Sequence, residues 1–118
     1  DNVGIGLTDP DEKLTVNGTI HTEEIKVDIK GALVPDYVFD VDYKLRPLEE
    51  VSEYIFENHH LPEVPSSLEM QKEGMELKEM NLLLLKKVEE LTLYLIEEKE
   101  ARETLEKKVL DLEKQQEK

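Results

Sequence analysis

His59, His60 and Glu63 are the residues whose types best suit a metal ion, two imidazoles and a carboxylate within five positions. Pro62 and Pro65 bar a helix there, so the segment runs extended and its successive side chains alternate between opposite sides. One chain then offers at most two of the three ligands a site needs, although three chains about an axis could each contribute one His. Packing of these loop histidines on their neighbours is the plainer account. Gly4-x-Gly6 is not followed by a third Gly or by a helix, so it is better read as glycine at a strand crossing than as a phosphate cradle. Asn17-Gly18-Thr19 fits the N-glycosylation acceptor pattern, but Asn-Gly is already explained as a turn. Asp36, Asp40 and Asp42 flank apolar residues and are expected to face solvent or cap the next element. Ser52, Ser66 and Ser67 have no partner base. The residues therefore predict no enzyme, no metal and no cofactor.

The pattern that carries information is a helix with a seam. Leu77 to Lys118 contains no Gly or Pro, and its apolar residues recur at alternating steps of four and three. In a heptad lettered a to g, Leu77, Leu84, Leu91, Leu105 and Leu112 fall at d, and Val88, Leu95 and Val109 at a. One helix cannot bury such a stripe alone in water. Asn81 also falls at a, where a buried amide fixes register at some cost in stability. Glu98 at d and Arg102 at a interrupt the seam. Four apart, they can pair within one helix or form a ring of ion pairs between chains, unless a local shift in heptad register turns both outward. Upstream, Met80, Leu85 and Tyr94 at e and g, with Leu82, Leu83, Leu93 and Ile96, widen the apolar surface, which suits three or more helices or a helix that also packs on the rest of the chain. Downstream the flanks are charged, and Lys108 at g can meet Glu113 at e of a neighbour. Residues 77–96 are therefore expected to be sheathed and 99–118 to form an exposed coiled coil.

The chain has 118 residues, a formal charge of −14, no Cys and no Trp. The helix uses the last 42 of them, about 60 Å at 1.5 Å per residue, and leaves a remainder too small to be more than marginally stable alone. Residues 1–76 carry a net −12 and residues 77–118 a net −2. An acidic head excludes nucleic-acid phosphate and anionic membranes as expected partners, since both need a Lys/Arg surface. Solubility is its simplest use. Without Cys there is no disulfide or thiol chemistry, and the run Leu82–Leu85 is too short for membrane insertion. Asp1–Pro10 lacks the basic start and apolar core of a signal peptide, so the chain is expected to be the C-terminal piece of something longer.

Three regions follow. Residues 1–35 read as short strands: Val3–Leu7, Leu14–Val16 and Ile25–Ile29 alternate with turn residues between them. Asn17-Gly18 is a strong hairpin signal, yet a symmetric turn there would face Ile20 away from Leu14 and Val16. A bulge, or strands of several chains wrapped around one another, would resolve the conflict. Residues 36–76 form a helical collar. Tyr37-Val38-Phe39 is a short apolar stretch, and Leu48, Val51 and Ile55 share one face of a helix with Pro47 at its start and Asn58 near its end. After the proline linker, Ser66-x-x-Glu69 is a capping box that opens a short helix closed by Gly74. Residues 77–118 are the long helix.

Two stretches bear a family resemblance. Val3-Gly4-Ile5-Gly6, then Thr8, Pro10 and Lys13 through Ile20, resembles the GIGTT-P-KL-VNG-I segment that precedes the C-terminal domains of phage tail fibres and bacterial surface fibres, with Leu7 and Asp9 departing from the usual small polar residues. Asp36-Tyr37-Val38-Phe39, Tyr43-Lys44-Leu45, Leu48–Val51, His60-Leu61-Pro62, Pro65-Ser66 and the run from Gly74 to Tyr94 resemble the C-terminal module of tail-fibre-like proteins common in Bacteroidetes. The resemblance spans nearly the whole chain and implies a trimeric fibre end without catalytic residues. Endosialidase-type fibres, whose self-cleaving C-terminal chaperone has long helices, are similar in outline only, because no cleavage serine with a base partner is present.

The expected fold is thus α+β: a homotrimeric fibre end with intertwined N-terminal strands, a small helical collar and a parallel C-terminal coiled coil. The expected role is trimerisation and capping of an extracellular fibre on a virion, a contractile injection particle or a bacterial cell surface. The alternatives are a fibre tip that binds a cell-surface receptor or glycan, and a cleaved trimerisation chaperone. A basic-zipper regulator is disfavoured because no basic region precedes the heptads.

Overall fold

The computed structural model describes residues 1–117. Its elements are strands β1 (Val3–Ile5) and β2 (Leu14–Val16), a 3-10 helix (Pro35–Phe39), and helices α1 (Leu48–Asn58), α2 (Ser67–Glu73) and α3 (Leu77–Gln116). The molecule measures 84 × 31 × 29 Å, a shape set by α3. Its radius of gyration is 22.7 Å, where a compact chain of this length would have about 13.5 Å.

The helices begin and end where the residues direct. Ser66 caps α2 with a full capping box: its Oγ accepts from the Glu69 amide at 3.2 Å, and Glu69 Oε1 accepts from the Ser66 amide at 3.4 Å. Gly74 closes that helix, and Pro47 stands at the entry of α1. α3 runs unbroken for 40 residues, with no proline to remove an amide and no glycine to loosen it.

The strand region departs from expectation. β1 and β2 pair in parallel, Val3 opposite Leu14 and Ile5 opposite Val16, instead of forming a hairpin at Asn17-Gly18. A parallel pair normally needs a long crossover, but three-residue strands are only about 7 Å long, so the loop from Gly6 to Lys13 suffices to return the chain. Gly6 opens that loop at φ 80°, and a Cβ there would sit 3.0 Å from the Asn17 carbonyl oxygen. A Cβ on Gly4 would sit 2.9 Å from the Leu7 carbonyl oxygen. The Gly4-x-Gly6 pair therefore serves a tight strand-to-loop contact. Asn17 closes the unit, its amide donating to Ile5 O at 2.9 Å and its Nδ2 to Gly6 O at 3.4 Å. Ile25–Ile29, expected as a strand, has no regular secondary structure and is unpaired here, with Ile25, Val27 and Ile29 exposed, because no other strand of the same chain lies beside it.

The core is small. Val38, 1% exposed, and Pro35 are pressed by the 3-10 helix onto α3, and with Pro62 they are the only buried apolar side chains among the described residues. The chain exposes 10681 Å², whereas a compact monomer of 13.7 kDa exposes roughly 6,600 Å². A single copy leaves far more surface open than folding alone accounts for.

Candidate functional site

The collar packs on one flank of α3 and leaves the opposite flank bare. Leu82, Leu83, Lys86, Lys87, Glu89, Glu90, Leu93 and Tyr94 are half-buried or buried, and all occupy b, c, f or g positions. The a/d line lies about half a turn away. There Leu77, Leu84, Val88, Leu91, Leu95, Leu105, Val109 and Leu112 keep between 46% and 70% of their surface exposed. The apolar residues outside the seam, Leu82, Leu83 and Leu93, are those the collar uses. From Leu95 to the end of the described helix every residue is exposed, so the expected division of α3 falls just after Tyr94.

A polar lattice fixes the collar. Glu63 receives Lys86 Nζ at 2.5 Å on Oε2 and Lys87 Nζ at 3.0 Å on Oε1. Lys87 also reaches Glu90 Oε1 at 3.1 Å, and the Tyr43 hydroxyl donates to Glu90 Oε2 at 2.6 Å. The Tyr94 hydroxyl donates to the Arg46 carbonyl. Burial of Glu63 acts to raise its pKa, but the hydrogen bonds from the two lysines outweigh it and hold the carboxyl below its ordinary range. Lys86 is correspondingly raised: burial acts to lower it, and Glu63 prevails. Burial, then the neighbouring Glu90 carboxylate, pushes the Tyr43 hydroxyl far up. Glu63 holds its place at φ 70°, a conformation that non-glycine residues adopt only where surrounding contacts impose it. Its two lysines supply those contacts. No sequence pattern marked Glu63 as this hub, because the role depends on a loop geometry that spacing does not encode.

Glu89 stands apart. It is 7% exposed beneath the 3-10 helix, and its Oε2 has no hydrogen-bond partner. Burial and the adjacent Asp36 carboxylate push its pKa up. Asp36, expected to face solvent or cap an element, is exposed and lies beside this second carboxyl.

The histidines sit as loop residues pack. His59 ends α1 in the left-handed conformation, and the His60 ring meets the Tyr54 ring edge-on at 5.5 Å while its Nδ1 lies 2.9 Å from Leu61 O. Among the described residues, no three His, Cys, Asp or Glu side chains gather as metal ligands would. No helix of the described residues is long and apolar enough to cross a membrane.

Within the seam, the Asn81 side chain donates to its own helix, Nδ2 to Leu77 O at 2.7 Å. Of the alternatives open to Glu98 and Arg102, the pairing within one helix does not form. Arg102 Nε instead lies 3.5 Å from Glu106, one turn further on, where the carboxylate at e competes on the exposed surface.

In a parallel, in-register pair of such helices each g residue meets the neighbour's e residue five positions on. Those pairs are Met80 with Leu85, Lys87 with Thr92, Tyr94 with Lys99, Ala101 with Glu106 and Lys108 with Glu113. No like charges oppose. The bare stripe, its apolar upper flank and its compatible charges suit self-association. No protein-family model matches the chain, and no curated protein and no solved structure matches it.

Proposed function

We propose that this chain is a structural module that joins three copies of itself and caps the C-terminal end of an extracellular tail-fibre-like protein. The observation that carries the reading is the position of the collar on the back of α3, which leaves a seam of roughly 50 Å open to identical helices. Three copies suit the apolar Met80 and Leu85 on the flanks of the upper seam. Segments with apolar residues at every second position, Ile25, Val27 and Ile29, find no partner within the chain and would find one in strands of neighbouring copies. The chain brings copies into register and catalyses nothing.

Sedimentation equilibrium at micromolar concentration tests this, with a mass of three times 13.7 kDa expected. A monomer sinks the proposal. A second reading, a two-stranded coil, draws on Val88 and Val109 at a with Leu at d, a combination that favours dimers. A doubled mass would keep the coil and discard the threefold fibre end.

A further inference from the structure

A groove of about 290 Å³ runs between α1 and α3, lined by Leu48, Val51, Ile55, Leu61, Leu91 and Tyr94 among others. Leu91 belongs to the a/d seam, so the groove opens directly onto it, on the side where the g residues Lys87 and Tyr94 stand. We infer that this groove receives the e flank of the neighbouring copy's α3, so that each collar clasps the next helix as well as its own. The inference rests on the self-association proposed above and adds where the collar goes.

Three observations select this occupant. In a parallel, in-register coil, the neighbour's e residues beside this groove are Leu85, just below Lys87, and Thr92, with Ile96 at the adjoining b position just above Tyr94. Leu85 and Ile96 are exposed, Ile96 at 48%, although they lie outside the a/d line and the chain's own collar does not cover them. They are also apolar, as the groove is. The charged lining is balanced, Arg46 and Lys87 against Glu63 and Glu90, and the neighbour's Lys99 is the residue that g-to-e pairing sets against Tyr94. A helix of another protein would need the same apolar spacing and the same lysine, and a second copy supplies both in register.

The chain has no cysteine, so introduced thiols report without background. Full-length Leu48→Cys and Ile96→Cys chains are unfolded together, refolded as a mixture and oxidised. A covalent dimer on a non-reducing gel, formed in the mixture and by neither variant alone, is the expected result. Leu105→Cys, at a d position below the collar, is the control for the coil itself and should give a covalent dimer alone. Cross-linking of Leu105→Cys without cross-linking of the mixture overturns the clasp and leaves the coil standing. Failure of both, with a monomeric mass, overturns the clasp and the coil together. If either groove variant melts early, Leu61→Cys with Leu85→Cys probes the other end of the groove with the same two outcomes.

Discussion

The Tyr94 hydroxyl donates to the backbone carbonyl oxygen of Arg46 at 2.5 Å, fastening the entry of α1 to the outer flank of α3 across 48 positions. Arg46 also places its guanidinium 5.9 Å from the centre of the Tyr54 ring, and Tyr54 in turn supports His60. One phenol therefore sets both where α1 begins and how wide the groove beside it stands. Tyr94→Phe removes the hydrogen bond and keeps the ring, at an expected cost of about 1 kcal/mol. The thermal midpoint should fall and amide exchange in residues 46–58 should quicken, with the solution mass unchanged. Exchange confined to α2 would contradict this role.

Leu105→Asp places a charge on the seam where no collar residue reaches. The fold of a single copy should tolerate it, while each associated chain would have to bury an unpaired carboxylate at a cost of several kcal/mol. The expected result is loss of the oligomer in sedimentation and loss of helical signal from the lower part of α3. Retention of the parent mass would rule out the seam as the contact surface.

Glu63 separates two effects. Glu63→Ala deletes both lysine contacts and keeps a β-carbon at φ 70°, whereas Glu63→Gly deletes the contacts and removes the strain. The glycine variant should be the more stable by about 1 kcal/mol, reversing the usual order of these two residues. Chemical denaturation of both variants reads the difference directly, and an alanine variant of equal or greater stability would falsify the strain.

Two carboxyls give the stability opposite responses to pH. Glu89, raised first by burial and then by Asp36, holds its proton more tightly folded than unfolded. Its contribution is full below the ordinary carboxylate range and is lost as pH rises through the raised value. Glu63 is lowered by its lysines, so its contribution is full above that range and is lost as pH falls through the lowered value. Glu89→Gln, a mimic of the protonated form, should raise the melting temperature at neutral pH and leave it unchanged in acid. Glu63→Gln should flatten the acid side of the profile. Melts of both variants across the pH range check the signs.

Much of the helical frame was legible in the residues. The Ser66 box, Gly74, Pro47 and the uninterrupted run from Leu77 each act within a turn or two, so local chemistry fixes them. The a/d line was equally plain, since periodicity needs no tertiary information. Leu82, Leu83 and Leu93 signalled that something else covers α3, but their positions opposite the seam take on meaning only once the collar is seen there. The 3-10 helix was missed because five residues with a proline at the start are too short to show a period. Parallel pairing of β1 with β2 was missed because Asn17-Gly18 spells a hairpin locally, while the actual constraint is a glycine in the preceding loop pressed against the Asn17 carbonyl.

Residues 95–117 are exposed throughout, whereas the upper helix is held by a collar that every chain carries for itself. The two halves thus depend on dilution to different degrees. Ordering of the upper half can begin within one chain, through its own collar, before neighbouring copies add to it. A charge-rich stretch of some twenty residues is a marginal helix in isolation, so ordering of the lower half depends on how many copies are close by. Its melting midpoint should climb with concentration more steeply than that of the collar. The tail of α3 then serves as a counter of neighbouring chains, closing only after the heads above it have formed.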